Sequence, residues 1–62
     1  MTFKEYTIKY LNSKSLSEYQ IEQVLKNISN ENMIELMNKQ IDDYPEIVLH
    51  AFMLNINTIT LE

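Results

Sequence analysis

The fold is set mainly by residues 44–57, YPEIVLHAFMLNIN. The proline near its start suits the first turn of a helix, and apolar side chains then cover most of the helical circumference. Glu46, His50 and Asn57 form a narrow polar strip on one side. A helix that is apolar nearly all round is buried on most of its sides. We therefore expect this helix either to be the central element of the fold or to be partly covered by another chain.

Small polar residues mark the starts of four helices. A capping box consists of two hydrogen bonds between a small polar residue and the residue three places later. The side chain of each residue accepts from the backbone N–H of the other. Pairs with this spacing are Thr2–Glu5, Ser17–Gln20, Asp43–Glu46 and, as a weaker copy, Ser29–Asn32. Apolar residues follow each start at helical spacing. The predicted helices are residues 3–11, 18–27, 30–42 and 44–56.

These elements predict an all-α fold, a small bundle or orthogonal array of four short helices with an extended C-terminal tail. The loops are too short to span a bundle, so sequential helices should be neighbours, and residues 1–62 should form a single helical domain. Residues 57–62 alternate as a strand does, which predicts the extended tail. The alternatives are a frayed extension of the helix, a segment that lies over the core, or an edge that pairs with another molecule. The predicted core is Phe3, Tyr10, Leu11, Ile21, Val24, Leu25, Ile28, Met33, Met37, Ile41, Val48, Phe52 and Ile56.

The composition excludes several classes of site. Glycine, cysteine and arginine are all absent. Without glycine the chain has no phosphate-binding loop, and without cysteine it has no disulfide and no thiolate metal site. Five lysines against nine acids give a net charge of -4, which argues against direct nucleic-acid binding. The second and third helices meet at a short connection, as in a helix-turn-helix, but acids and asparagines occupy the recognition positions, which disfavours a DNA-binding regulator.

Localisation and origin are also expectations from the sequence. No apolar run is long enough to cross a membrane, and no basic segment precedes a signal-like stretch. We therefore expect a cytoplasmic protein. Isoleucine, asparagine and lysine are abundant while glycine and arginine are absent. This usage is typical of AT-rich genomes and suggests a phage or plasmid protein of a low-GC bacterium.

Residues that could carry chemistry are sparse. His50 is the only histidine, and it follows Glu46 by one helical turn. A metal would need further ligands, so a solvated histidine beside a first-turn glutamate is the simpler interpretation. The serines are placed as helix caps, and paired carboxylates need an enclosed cleft that four short helices hardly provide. We predict no enzyme activity, no cofactor and no metal.

Most of the charge is explained by the helices themselves. Acid-first pairs at i,i+4 spacing predict solvated outer faces. These pairs are Glu5–Lys9, Glu22–Lys26 and Glu35–Lys39. Among the other acids, Asp42, Asp43 and Glu46 form a candidate acidic patch, although first-turn and capping positions account for much of it.

Apolar and aromatic residues beyond the core stripes are the candidates for a protein interface. They are Tyr19, Leu36, Tyr44, Leu49, Met53, Ile59 and Leu61. The leading hypothesis is a small acidic protein–protein interaction module, a regulator or inhibitor that binds and occludes a host protein. One alternative is a structural homo-oligomer that associates through helix 4 and the tail. Another is an acidic nucleic-acid mimic that blocks a DNA- or RNA-binding protein.

Overall fold

Four α-helices and one 3₁₀ turn make up the computed structural model, which describes residues 1–61, with side chains through Thr60. In chain order they are α1 (Phe3–Ser13), α2 (Glu18–Lys26), α3 (Glu31–Leu36), the 3₁₀ turn (Ile41–Asp43) and α4 (Glu46–Leu61). The prediction of a small all-α fold is confirmed. The radius of gyration is 10.8 Å, close to the roughly 10.6 Å expected for a compact chain of this length.

The core lies where α1, α2 and α4 pack against one another. Its buried hydrophobic side chains all belong to the predicted core. They are Phe3, Leu11, Ile21, Val24, Ile28, Met33, Phe52 and Ile56. The other predicted core residues are only partly buried and pack against this cluster; they are Tyr10, Leu25, Met37, Ile41 and Val48.

One polar residue, Thr7, joins the core. It is fully buried, and its hydroxyl donates to the carbonyl of Phe3 at 2.8 Å. A buried hydroxyl is tolerated when it is hydrogen-bonded. Among the described residues, every buried side-chain nitrogen or oxygen has such a partner.

Two capping boxes form as predicted. At the start of α1, the Thr2 hydroxyl accepts from the N–H of Glu5 at 3.1 Å, and the Glu5 carboxylate accepts from the N–H of Thr2 at 2.8 Å. At the start of α2, Ser17 and Gln20 exchange the same two bonds at 3.2 and 2.8 Å. Each box satisfies N–H groups that have no partner inside the helix.

The predicted third helix is too long. It was expected to reach residue 42, but α3 ends at Leu36 and an irregular segment follows. This segment bonds to the start of α1: the N–H groups of Phe3 and Lys4 donate to the carbonyls of Lys39 and Met37 at 3.0 and 3.2 Å. These two carbonyls therefore satisfy unpaired amides of α1, a long-range arrangement that local patterning does not contain.

The cap of α3 is shifted by one residue from the predicted pair. Asn30, and not Ser29, caps the helix, because its side-chain oxygen accepts from the N–H groups of Asn32 at 2.9 Å and Met33 at 3.3 Å. Asparagine is as good a cap as serine. The shift moves the start of the helix to Glu31.

The capping box predicted from Asp43 and Glu46 is wrong. A cap at Asp43 would make Tyr44 the first helical residue, but Tyr44 is extended, with φ -129° and ψ 153°. The ring of Pro45 disfavours the helical conformation in the residue before it. α4 therefore begins at Glu46, and Asp43 closes the 3₁₀ turn instead.

The predicted extended tail is also wrong as far as Leu61. Residues 57–61 continue α4. Ile56 and Ile59 lie three residues apart and extend the core-facing side of the helix. The hydroxyls of Thr58 and Thr60 donate to the carbonyls of residues 54 and 56 at 3.0 and 2.8 Å. These bonds accommodate threonine within a helix, and a lone strand would have no such partners.

α1 ends in a left-handed residue although the chain has no glycine. Ser15 has φ 67°. Its N–H donates to the carbonyl of Asn12 at 3.0 Å, and the N–H of Leu16 donates to that of Leu11 at 3.3 Å. This pair of bonds is the Schellman motif, in which glycine usually occupies the left-handed position.

Candidate protein-interaction surface

The inner side of α4 belongs to the core. Phe52 is 2% exposed and Ile56 is fully buried. Leu49 and Met53 are half-buried and pack against the same cluster. This side is held by α1 and α2, the two helices against which α4 packs.

The opposite side of α4 is exposed and largely apolar. Ile47 is 73% exposed and Leu54 is 68% exposed, and Ala51 and Thr58 beside them are also exposed. At 100° per residue, these four side chains fall within an arc of about 60°, centred opposite Phe52 and Ile56. They extend about 16 Å along the helix. We call Ile47, Ala51, Leu54 and Thr58 the α4 outer face.

The outer faces of α1 and α2 have a different character. Glu5 and Lys9 are exposed on α1, and Glu22 and Lys26 are exposed on α2. Each pair has the i,i+4 spacing with the acid first, which favours a solvated helix face. On α4, the outward-facing positions are instead occupied by the apolar residues Ile47, Ala51 and Leu54. The outer faces of α1 and α2 therefore do not share the apolar character of the α4 outer face.

Acidic residues lie just before the α4 outer face. Asp42 and Asp43, in the 3₁₀ turn, and Glu46, in the first turn of α4, are all exposed. Residues 1–39 contain five lysines and five acids, whereas residues 40–62 contain four acids and no lysine. The whole net charge of -4 thus belongs to the segment that carries the α4 outer face.

Four of the seven predicted interface residues line two separate depressions. Tyr19, which is 69% exposed, lines one of them together with Ile59, between α2 and the end of α4. Leu36 and Tyr44 line the other together with Val48.

These candidates differ in how much surface they leave free. The Tyr44 ring packs edge-on against Phe3, with ring centroids 5.6 Å apart, so it supports the core. Leu49 and Met53 are half-buried on the inner side of α4. The side chain of Leu61 lies outside the described residues.

Sequence reasoning missed Ile47 and Leu54 as surface residues. The sequence contains the signal, because this helix is apolar nearly all round. Choosing Phe52 and Ile56 as the core stripe leaves Ile47 and Leu54 on the opposite side of the wheel. Other large hydrophobic side chains with high exposure, such as Ile34 on α3, are not aligned in this way.

The polar strip of α4 divides into two parts. Asn57 is structural, because its side-chain oxygen accepts from the Tyr10 hydroxyl at 2.7 Å and ties α4 to α1. His50 and Glu46 are exposed. Within residues 1–61, no three histidine or acidic side chains come close enough together to hold a metal ion.

No protein-family model, curated protein or solved structure matches this chain. Among the described helices, none has both the length and the apolar character needed to cross a membrane. The candidate surface is therefore interpreted from its own geometry and chemistry.

Proposed function

We propose that this protein is a protein–protein interaction module, a small regulator or inhibitor that occludes a partner protein by docking the α4 outer face onto it. The observation that supports this proposal is the exposure of Ile47 and Leu54 in line on one helix face. Laying an apolar helix face into a groove is a recurring mode of protein recognition. A protein that acts by binding alone needs no set of catalytic residues.

The cellular setting is part of the same proposal. The chain has no cysteine, which suits a reducing compartment such as the cytoplasm. Its amino-acid usage, which is typical of AT-rich genomes, supports a phage or plasmid origin in a low-GC bacterium. The partner would then be a host protein.

The test uses the protein coupled to a support through one introduced cysteine. Because the chain has no natural cysteine, Lys26→Cys on exposed α2 gives a single attachment point and leaves both termini unchanged. Extracts of a low-GC bacterium are passed over the wild type and over the double variant Ile47→Gln, Leu54→Gln. We expect a stoichiometric protein to be retained by the wild type and lost with the double variant.

A matched control tests whether the loss of retention is specific to the α4 outer face or follows from replacing any exposed isoleucine by glutamine. Ile34→Gln replaces another exposed isoleucine, on α3, and should leave retention unchanged. The free energies of unfolding of these variants should lie within about 0.5 kcal/mol of the wild type, because exposed positions contribute little. Equal retention by the wild type and the double variant would refute docking through α4.

A further inference from the structure

The α4 outer face lies beside a concentration of negative charge. Asp42, Asp43 and Glu46 are exposed and come just before this face in the chain, and residues 40–62 contain no lysine or arginine. Charged groups at the rim of an interface select partners of opposite charge and accelerate encounter. The chemistry beside the apolar face therefore constrains what can cover it.

A second copy of this chain is a poor occupant. Self-association through the α4 outer face would bring the same segment of two copies together. Segment 40–62 of another copy also has no cation to place against these acids. In a parallel arrangement, the two acidic clusters would meet and repel each other.

Membranes and nucleic-acid-binding sites fit less well than an apolar protein groove. Helices that lie on membranes carry lysine and arginine on their polar face, and α4 carries neither. Anionic lipid would also repel the acids. A phosphate mimic binds through its acids alone, which leaves the exposure of Ile47 and Leu54 without a role.

We infer that the partner's docking surface is an apolar groove edged by lysine or arginine at the end that receives the 3₁₀ turn. This inference rests on the proposed function. The apolar floor covers Ile47, Ala51 and Leu54, and the basic edge meets Asp42, Asp43 and Glu46. The placement of the acids at one end of the face fixes the direction in which α4 lies in the groove.

The experiment selects binders from a display library of small three-helix scaffolds whose groove positions are randomised. The bait is the protein coupled through Lys26→Cys, and binders that also recognise the Ile47→Gln, Leu54→Gln variant are removed. We expect the selected grooves to be apolar and to contain more lysine and arginine than the unselected library. Sequencing both pools measures that excess.

Two triple variants with the same change in net charge then test where the charge acts. The neutralised variant carries Asp42→Asn, Asp43→Asn and Glu46→Gln, and the control variant carries Glu18→Gln, Glu22→Gln and Glu31→Gln. The selected scaffolds should bind the neutralised variant about tenfold more weakly than the wild type. Binding of the control variant should change less than about twofold. Added salt should weaken the wild type and hardly affect the neutralised variant.

The possible failures are distinguishable. If selected grooves show no excess of basic residues, or if the two triple variants bind alike, the basic edge is refuted while docking through α4 stands. If no scaffold distinguishes the wild type from the Ile47→Gln, Leu54→Gln variant, the proposed function itself fails. If light scattering shows a dimer that this double variant abolishes, the occupant is a second copy and the inference is overturned.

Discussion

Replacing Ser15 by glycine should stabilise this protein, although it adds no contact. Ser15 has φ 67° at the end of α1, and its side chain is exposed. The left-handed conformation brings Cβ of an ordinary residue too close to the following carbonyl oxygen, at a cost of about 1–2 kcal/mol. Glycine has no Cβ, so Ser15→Gly removes this cost and retains the backbone bonds made by Ser15 and Leu16.

The gain is partly offset in the unfolded state. Glycine is more flexible than serine and loses more conformational entropy on folding, by about 0.4–1 kcal/mol. The expected net effect is a rise of about 0.8 kcal/mol in the free energy of unfolding. For a domain of this size, that corresponds to an increase of about 3–6 °C in Tm.

Urea unfolding followed by circular dichroism at the helix band measures the change, since the chain contains no tryptophan for fluorescence. Lys14→Gly is the matched control. Lys14 has φ -89°, which any residue adopts, so glycine there should lower the free energy of unfolding by about 0.5–1 kcal/mol. Ser15→Val should also destabilise. The reasoning is refuted if Ser15→Gly is no more stable than the wild type, or if valine is tolerated at position 15.

Three further changes test the core, the capping box and the link between α1 and α4. Phe52→Ala should cost about 3–5 kcal/mol, enough to abolish a cooperative urea transition in a domain whose total stability is of that order; a normal transition would contradict the burial of Phe52. The backbone N–H of Thr2 lowers the pKa of the Glu5 carboxyl below its ordinary value. The stabilisation linked to this shift is present above the ordinary pKa that glutamate has in the unfolded chain and is lost as the pH falls through the lower, folded pKa. Glu5→Gln should therefore lose less stability than the wild type between pH 6 and pH 3, and parallel losses in urea titrations would count against this linkage. Tyr10→Phe leaves the oxygen of Asn57 without its 2.7 Å donor and should cost about 1 kcal/mol; an unchanged urea midpoint would show that water replaces the bond at no cost.

Where the sequence succeeded, the signal was local. The boxes at Thr2 and Ser17 formed because each depends on two side chains three residues apart. The core prediction succeeded for a related reason, because helical spacing assigns a face to each apolar residue. Neither inference needed knowledge of a distant residue.

The failures came from interactions outside the local window. Residues 37–41 were predicted to be helical, but carbonyls in this segment accept from the first amides of α1, more than thirty residues away. The alternating residues at 57–61 resemble a strand, but they are helical, and as part of the helix Ile59 packs against the core. The start of α4 is an exception, because the signal there is local. Pro45 disfavours a helical Tyr44, but the capping-box spacing of Asp43 and Glu46 led to the prediction of an earlier start.

The candidate surface divides in the same way. Composition alone indicates that the last helix has more apolar side chains than a solvated helix needs, and that the segment around it holds the entire net charge. Which side of the helix stays uncovered depends on the packing of the other helices. α1 and α2 pack against Phe52 and Ile56 and leave Ile47 and Leu54 exposed. On a helix that is apolar nearly all round, amino-acid composition alone does not show which face is buried. The shape of the neighbouring helices, set by contacts distant in sequence, selects one of them.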